Sequence, residues 1–320
     1  MPTNYSKPQT EEENLNKVSL VRIGNDADLK KGIAEAVDLV DFKPPNSVKT
    51  IAIKVNLCYY WNSSTGQTTD PLLISALIDY LRDKCGQDVE IKIAEADASA
   101  MKTKIAFPLL GYTQLAKQKK VELCNLSEDS IEEKKVKING HEVELKVPNT
   151  LVKSDLFVNV SKLKVMRATH ISCAMKNLFG AIAFPRKVTY HPFLAETIVG
   201  INKFLKPHLN IVDGLIGLGE YPIKLNLLMA GLNAFAVDYV AAQVMGYDPS
   251  KIKFLNLAIK EFKENPKDVI AVGARIEDFR KDFPTENTMM ARMKMRLQLS
   301  LLKTYSRISG DIIPPSVDDT

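Results

Sequence analysis

Short β-rich runs and helical segments take turns along almost the whole chain, and this alternation restricts the fold more than any other feature. VSLVRIG (18–24) alternates like a strand, and DADLKKGIAEAVDLVDF after it has a helical period, with Asn25 or Asp26 placed to cap it. KTIAIKVNL (49–57) is β-rich and ends in polar residues. PLLISALIDYLRDKCG follows a long loop with Asp70 as cap, Pro71 in the first helical position and Gly86 at the end. VEIKIAEAD (89–97), VELCNL, SDLFVNVSKLK (154–164) and LNIVDG continue the strands. FPLLGYTQLAKQKK, LAETIVGINKFLK and SKIKFLNLAIKEF continue the helices. LNLLMAGLNAFAVDYVAAQVMG reads as a short strand and then a long helix ended by Gly246, and DVIAVG as a last short strand. Asn139-Gly140 between two alternating runs predicts a β-hairpin. Together these predict an α/β fold: a largely parallel sheet with flanking helices, a β-hairpin insertion and a C-terminal amphipathic helix.

Three regions are expected: a polar, acidic, disordered tail over 1–16, the α/β domain over 17–280, and a basic, Met-rich helical extension over 281–320. Within it, NTMMARMKMRLQLSLLKTYSRIS carries Arg292, Lys294, Arg296, Lys303 and Arg307 and no acid. It reads either as a homodimer or peripheral contact through residues 286–308, or as a helix packed on its own domain. No apolar run reaches about 18 residues, so no transmembrane helix is expected. The net charge of +5 with only 7% aromatic residues excludes a nucleic-acid-binding surface and leaves small anionic ligands as partners. The four cysteines, Cys58, Cys85, Cys124 and Cys173, are too widely spaced for a zinc ribbon or an iron–sulfur motif. With no signal peptide at the N-terminus, the expectation is reduced thiols in the cytoplasm.

In open α/β sheets ligands bind outside the carboxyl ends of the strands. Four predicted strands end in capable residues: Lys54 and Asn56; Glu95 and Asp97; Asn159, Ser161, Lys162 and Lys164; and Asp213. One polar strand end alone is ordinary surface chemistry, whereas four at one edge suit an anionic ligand or cofactor. The loop CYYWNSSTGQTTD, which holds the single tryptophan Trp61, is either a lid over that edge or a plain connection. DGLIGLGE has glycines but neither the Walker lysine nor the dinucleotide fingerprint, and is read as a strained turn. ATHISCAMKNLFG (168–180) concentrates His170, Cys173, Lys176 and Asn177 in a loop expected to run into a helix, with Cys173 packing. His141 and His208 read as surface residues.

IAIKVNL, TTDPLLISALIDYLR, IAEAD, SDLFVNVSKLK, AMKNLFGAI, IVDGL and MAGLNAFAVDYVAAQVMGYDP occur in that order. From about residue 49 to 275 the chain thereby resembles the domain-of-unknown-function 362 family, with KNLFG and AVDYVAAQVMGYDP the most specific parts. The family's activity is unsettled. Many members resemble iron–sulfur proteins through an added ferredoxin-like cysteine segment, which this chain lacks. The resemblance therefore implies, for redox work, a redox protein partner or another cofactor, with a metal and a nucleotide-like group both open. It also assigns Lys176 and Asn177 to the functional edge. More distantly, the motif order is similar to the N-terminal domain of nickel-pincer lactate racemase. There a lysine that carries the pyridinium nucleotide cofactor matches Lys176, and His191 lies fifteen residues on. Where the family at hand reads KxH after the lysine matching Lys164, this chain has Met166. Methionine takes no proton, and His170 shares its face only if the segment is helical.

The expectation for function is thus a cofactor- or anionic-ligand-binding protein, of a redox or isomerase type if an enzyme, with its site at the C-terminal edge of the sheet. Lys54, Asn56, Asp70, Lys164, Lys176 and Asn177 would hold the ligand, and His170, His191, Asp213 and Glu95 would move protons. The alternative is a non-catalytic scaffold that recruits a partner through its C-terminal helix.

Overall fold

Parallel sheets of α/β folds are covered on both faces, and the computed structural model has that architecture. It describes residues 15–280 with Asp282 and Phe283. The chain begins with β1 (Lys17–Arg22), α1 (Leu29–Asp38), β2 (Thr50–Lys54), α2 (Pro71–Cys85), β3 (Glu90–Glu95), α3 (Thr103–Leu109), α4 (Tyr112–Lys119) and β4 (Glu122–Asn125). A hairpin of β5 (Ile131–Ile138) and β6 (His141–Pro148) follows, then α5 (Asn149–Lys153), β7 (Leu156–Met166), β8 (His170–Ser172) and α6 (Ala174–Gly180). The last part holds α7 (Leu194–Phe204), β9 (Leu209–Leu218), β10 (Pro222–Gly231), α8 (Ala234–Val244), α9 (Lys253–Phe262), β11 (Ile270–Gly273) and α10 (Glu277–Arg280).

The main sheet has the order β11-β1-β10-β9-β7-β2-β3-β4, with β8 folded back on β7, and β5-β6 form a separate two-stranded sheet. β4, β3, β2, β7 and β9 are mutually parallel. β10 runs against both of its neighbours, and short β8 runs against β7. The parallel strands therefore carry their C-terminal ends to one edge, where Lys54, Glu95, Lys162 and Asp213 lie.

Side-chain alternation sorts the strands between two cores. In β2, Ile51 and Ile53 join Ile33, Leu77, Ile78 and Tyr112 from α1, α2 and α4. Ala52 faces the other way, into a core with Leu178, Ile198, Val240 and Leu255 from α6 to α9. The hairpin rests on α7 through Val136 and Leu145, both within reach of Gly200. The Asn139-Gly140 turn has both residues at positive φ, 47° and 85°, as the dipeptide predicts. The start of α2 is also as expected: the Asp70 side chain accepts from the Leu72 N–H at 2.9 Å, Pro71 opens the helix, and Gly86 leaves it at φ 109°.

Three local readings are corrected. The glycines of DGLIGLGE do not form a strained turn. Gly214 and Gly217 lie inside β9, where β10 comes too close for a side chain: a Cβ on Gly217 would sit 2.7 Å from Leu225. Residues 170–172 are strand β8 rather than loop, because the chain turns back on β7. FPLLGYTQLAKQKK is split into α3 and α4 at Gly111, whose φ of 82° no helix accommodates. Most of the expected tail over 1–16 and of the basic extension over 281–320, with its contact segment 286–308, lies outside the described residues. Among the described residues no helix is long and apolar enough to cross a membrane.

Candidate functional site

Lys54 closes β2 with its side chain fully buried. Its Nζ pairs with Glu95 Oε1 at 2.7 Å, donates to the Val55 carbonyl at 2.6 Å and reaches Asn177 Oδ1 at 3.3 Å. Glu95, at the end of the adjacent parallel strand, also accepts the backbone N–H groups of Leu57 at 2.8 Å and Ala96 at 2.9 Å. These bonds hold the carboxylate in place. Burial pushes the Lys54 amine below its ordinary range, the Glu95 carboxylate opposes that shift, and nearby Lys164 adds to it. Gly180 at the end of α6 packs here; a Cβ on it would lie 3.5 Å from Lys54 Nζ.

Asn177 ties the end of β2 and the middle of β7 to this pair. Its Oδ1 accepts from Asn56 Nδ2 at 2.9 Å, and its Nδ2 donates to Asn159 Oδ1 at 2.8 Å and to the Val160 carbonyl at 3.1 Å. Asn159 passes the chain on to Asn210 Oδ1 at 2.9 Å. Asn56 Oδ1 in turn accepts from Lys164 Nζ at 2.9 Å. Lys164 is 2% exposed, and its other bond is to the Gln67 carbonyl at 2.9 Å, on the Trp61 loop. An ammonium group offers three donors, so one remains, and no carboxylate pairs with Lys164 among the described residues.

A second buried ion pair lies beside the first. Lys162 follows Val158 and Val160 along β7 and pairs with Asp213 Oδ1 at 2.9 Å. Asp213 also accepts the Asp70 N–H at 2.8 Å and the Leu215 N–H at 3.1 Å. Burial, with the charge of Asp213 behind it, pushes the Asp70 carboxyl above the usual range even though the Leu72 N–H opposes this. Tyr112 donates to the Thr69 carbonyl at 2.8 Å, and burial drives its phenol well above 10.

Lys187 was not among the expected residues. It lies in a one-turn-after-another 3-10 segment, Lys187–Phe193, whose sequence has no strand or helix period. Its amine is buried and donates to the Asp97 backbone carbonyl, while the Asp97 side chain is taken by Lys102 at 2.9 Å and Thr103 at 2.9 Å. Burial lowers the Lys187 pKa to about 7, although Glu95 pulls the other way. Between about pH 7 and an ordinary 10.5, the unfolded chain holds a proton that the folded one has lost. Stability therefore rises with pH across that window, and the cost of burying the cation is fully felt below it. Replacing Lys187 with Met should flatten this rise, read as a smaller difference between urea midpoints at about pH 6 and about pH 9. An unchanged difference would show that Lys187 keeps an ordinary pKa.

The structure brings Lys54, Asn56, Glu95, Lys164 and Asn177 into direct contact and sets Asp70 and Asp213 next to them. Lys176, one residue before Asn177, is half-buried with its amine 4.9 Å from the Phe179 ring centre. His170 and His191 are not at this edge. They line a separate groove that none of those residues lines. His170 does come beside Met166, but as its cross-strand partner in the β7–β8 pair and not through a helix. It is exposed, in the left-handed region at φ 64°, and edge-on to Tyr247. Cys173 is buried with its thiol pushed well above its ordinary range by burial, in keeping with a packing role. Asp238, inside apolar α8, is the other group that sequence reading passed over. It accepts the Met175 N–H at the start of α6 at 3.2 Å, and burial raises it to about 7.

The model of a family described as domain of unknown function (DUF362) matches residues 51–243, more than half of the chain. A thylakoid-associated protein of Synechocystis sp. is 28% identical over 121 residues, 34% of this chain and 38% of that protein, so the match spans well under half of the relative. Among solved structures, the lactate racemase apoprotein of Thermoanaerobacterium thermosaccharolyticum aligns with a TM-score of 0.42 and 12% identity, over 75% of this chain and 59% of that one.

Proposed function

This chain belongs to the DUF362 family, and from that premise we propose that it binds a small carboxylate or phosphate anion at the C-terminal edge of β2, β3 and β7. Lys164 carries the reading. Lys54 and Lys162 each have a buried carboxylate partner, whereas Lys164 is equally buried and bonded only to neutral oxygens. A buried cation without a counter-charge is costly, and an incoming anion would relieve that cost. Asn56 and Asn177 fix the amine in place before the ligand arrives, so little ordering is left for binding to oppose. The Trp61 loop serves as the lid, since its Gln67 carbonyl holds the bond that the anion would take over.

Chemistry at this edge would be proton transfer of an isomerase type. An amine held near pH 7 is matched to taking a proton at neutral pH, which makes Lys187 the base in place of His170 and His191. Four free cysteines support a reducing compartment such as the cytoplasm. Diffraction from crystals soaked in selenate, a tetrahedral dianion located by its anomalous signal, tests the site. The expected result is a peak within hydrogen-bond reach of Lys164 Nζ; peaks confined to exposed lysines would refute it.

A further inference from the structure

The two histidines that fall away from the sheet edge have a setting of their own. His170 comes from the start of β8 and His191 from the 3-10 segment before α7. They line one groove of about 300 Å³ together with Lys251 and Lys253 from around the start of α9. No carboxylate lines that groove, although Asp and Glu are common on the rest of the chain. Its remaining walls include Pro192, Leu194 and Phe254. Glu196, a buried side chain behind Lys253, pairs with it at 2.9 Å and holds it in place. Lys251 meets Asp248 only loosely, at 3.7 Å, with its side chain 81% exposed.

A second groove of about 550 Å³ shares His170 and Lys251 with the first and adds Arg280, Gln243, Tyr247 and one carboxylate, Asp248. His170 and Lys251 thus form the common wall of both. The His170 φ of 64° is a conformation that a non-glycine residue adopts at a cost, and here it sets the ring edge-on to Tyr247 at 5.8 Å. The first groove offers imidazole and ammonium donors to an anionic head. The second offers an aromatic face and an amide to a flat, polar body.

We propose that these adjoining grooves form a second ligand site, distinct from the Lys164 edge, that takes a small phosphomonoester of nucleotide size. The phosphate sits among His170, His191, Lys251 and Lys253, and the body extends past His170 along Tyr247 and Gln243. Nothing in this arrangement depends on what the strand edge binds, and none of its residues belongs to the Lys54–Glu95 network.

The chain has only four histidines, so their ring C–H signals can be followed one by one by NMR in the full-length protein. Titration with adenosine monophosphate at fixed pH should move the His170 and His191 signals together and saturably. His208, whose Nδ1 is engaged by the Phe157 N–H at 3.0 Å, should stay still. Inorganic phosphate should move the same two signals more weakly, since it fills only the head position. Lys251→Glu, a change at an exposed side chain, should weaken the response about fivefold without disturbing the fold. Lys164→Met should leave it intact, which separates this site from the strand edge. The proposal fails if His170 and His191 do not move, if all four signals drift alike, or if Lys251→Glu titrates as the wild type does.

Discussion

Glu95→Ala should cost about 3–5 kcal/mol of stability, a large share of the margin of an ordinary domain. The reason is what the change leaves behind. Lys54 would keep a fully buried amine with no carboxylate, and the N–H groups of Leu57 and Ala96 would lose their acceptor. Breaking an exposed ion pair of this chain, such as Lys135–Glu144, should by contrast leave stability almost unchanged. The double change Lys54→Met with Glu95→Leu should recover most of the loss, because it removes both charges at once and fills the space with apolar atoms. Urea unfolding of the three proteins gives the comparison. A single change costing under about 1 kcal/mol would mean that the pair is wetter and looser than its geometry states.

The fold was largely legible in the sequence, because backbone-level signals are local. The Asn139-Gly140 turn, the Asp70-Pro71 helix start and the β-rich runs of the parallel strands each act within a few residues. The strand ends were legible for the same reason: the rule that parallel strands present their C-terminal ends to one edge turned Lys54, Glu95, Lys164 and Asp213 into neighbours before any coordinates. What stayed hidden depends on long-range packing. Gly214 and Gly217 look like turn glycines until β10 is laid against β9. Met166 and His170 share a face in sequence only on the condition of a helix, whereas the structure pairs them across strands where β8 folds back on β7. Lys187 is one basic residue in an aperiodic stretch, and only its burial beside Asp97 makes its amine unusual. Asp238 carries the clearest overlooked signal, a single acid in the apolar run AFAVDYVAAQV, where a charge needs a structural reason.

Lys164→Met should lower the affinity for the anion at the strand edge by at least about tenfold, while leaving the protein folded. The methionine side chain has nearly the length of the lysine stem, so packing in the half-apolar slot is kept and only the cation and its donors are lost. The bond to Gln67 goes with them, so the lid should also loosen in the absence of ligand. Trp61 sits on that lid with 57% of its surface exposed and is the only tryptophan in the chain. Its fluorescence therefore reports the loop without interference. The decisive measurement is a fluorescence titration of wild type and Lys164→Met with phosphate and with a series of small carboxylates. The account predicts a saturable change for at least one of these anions in the wild type, and a response in Lys164→Met that is shifted to much higher concentration or gone. Equal titrations in the two proteins, or a wild-type lid that no anion moves, would contradict it.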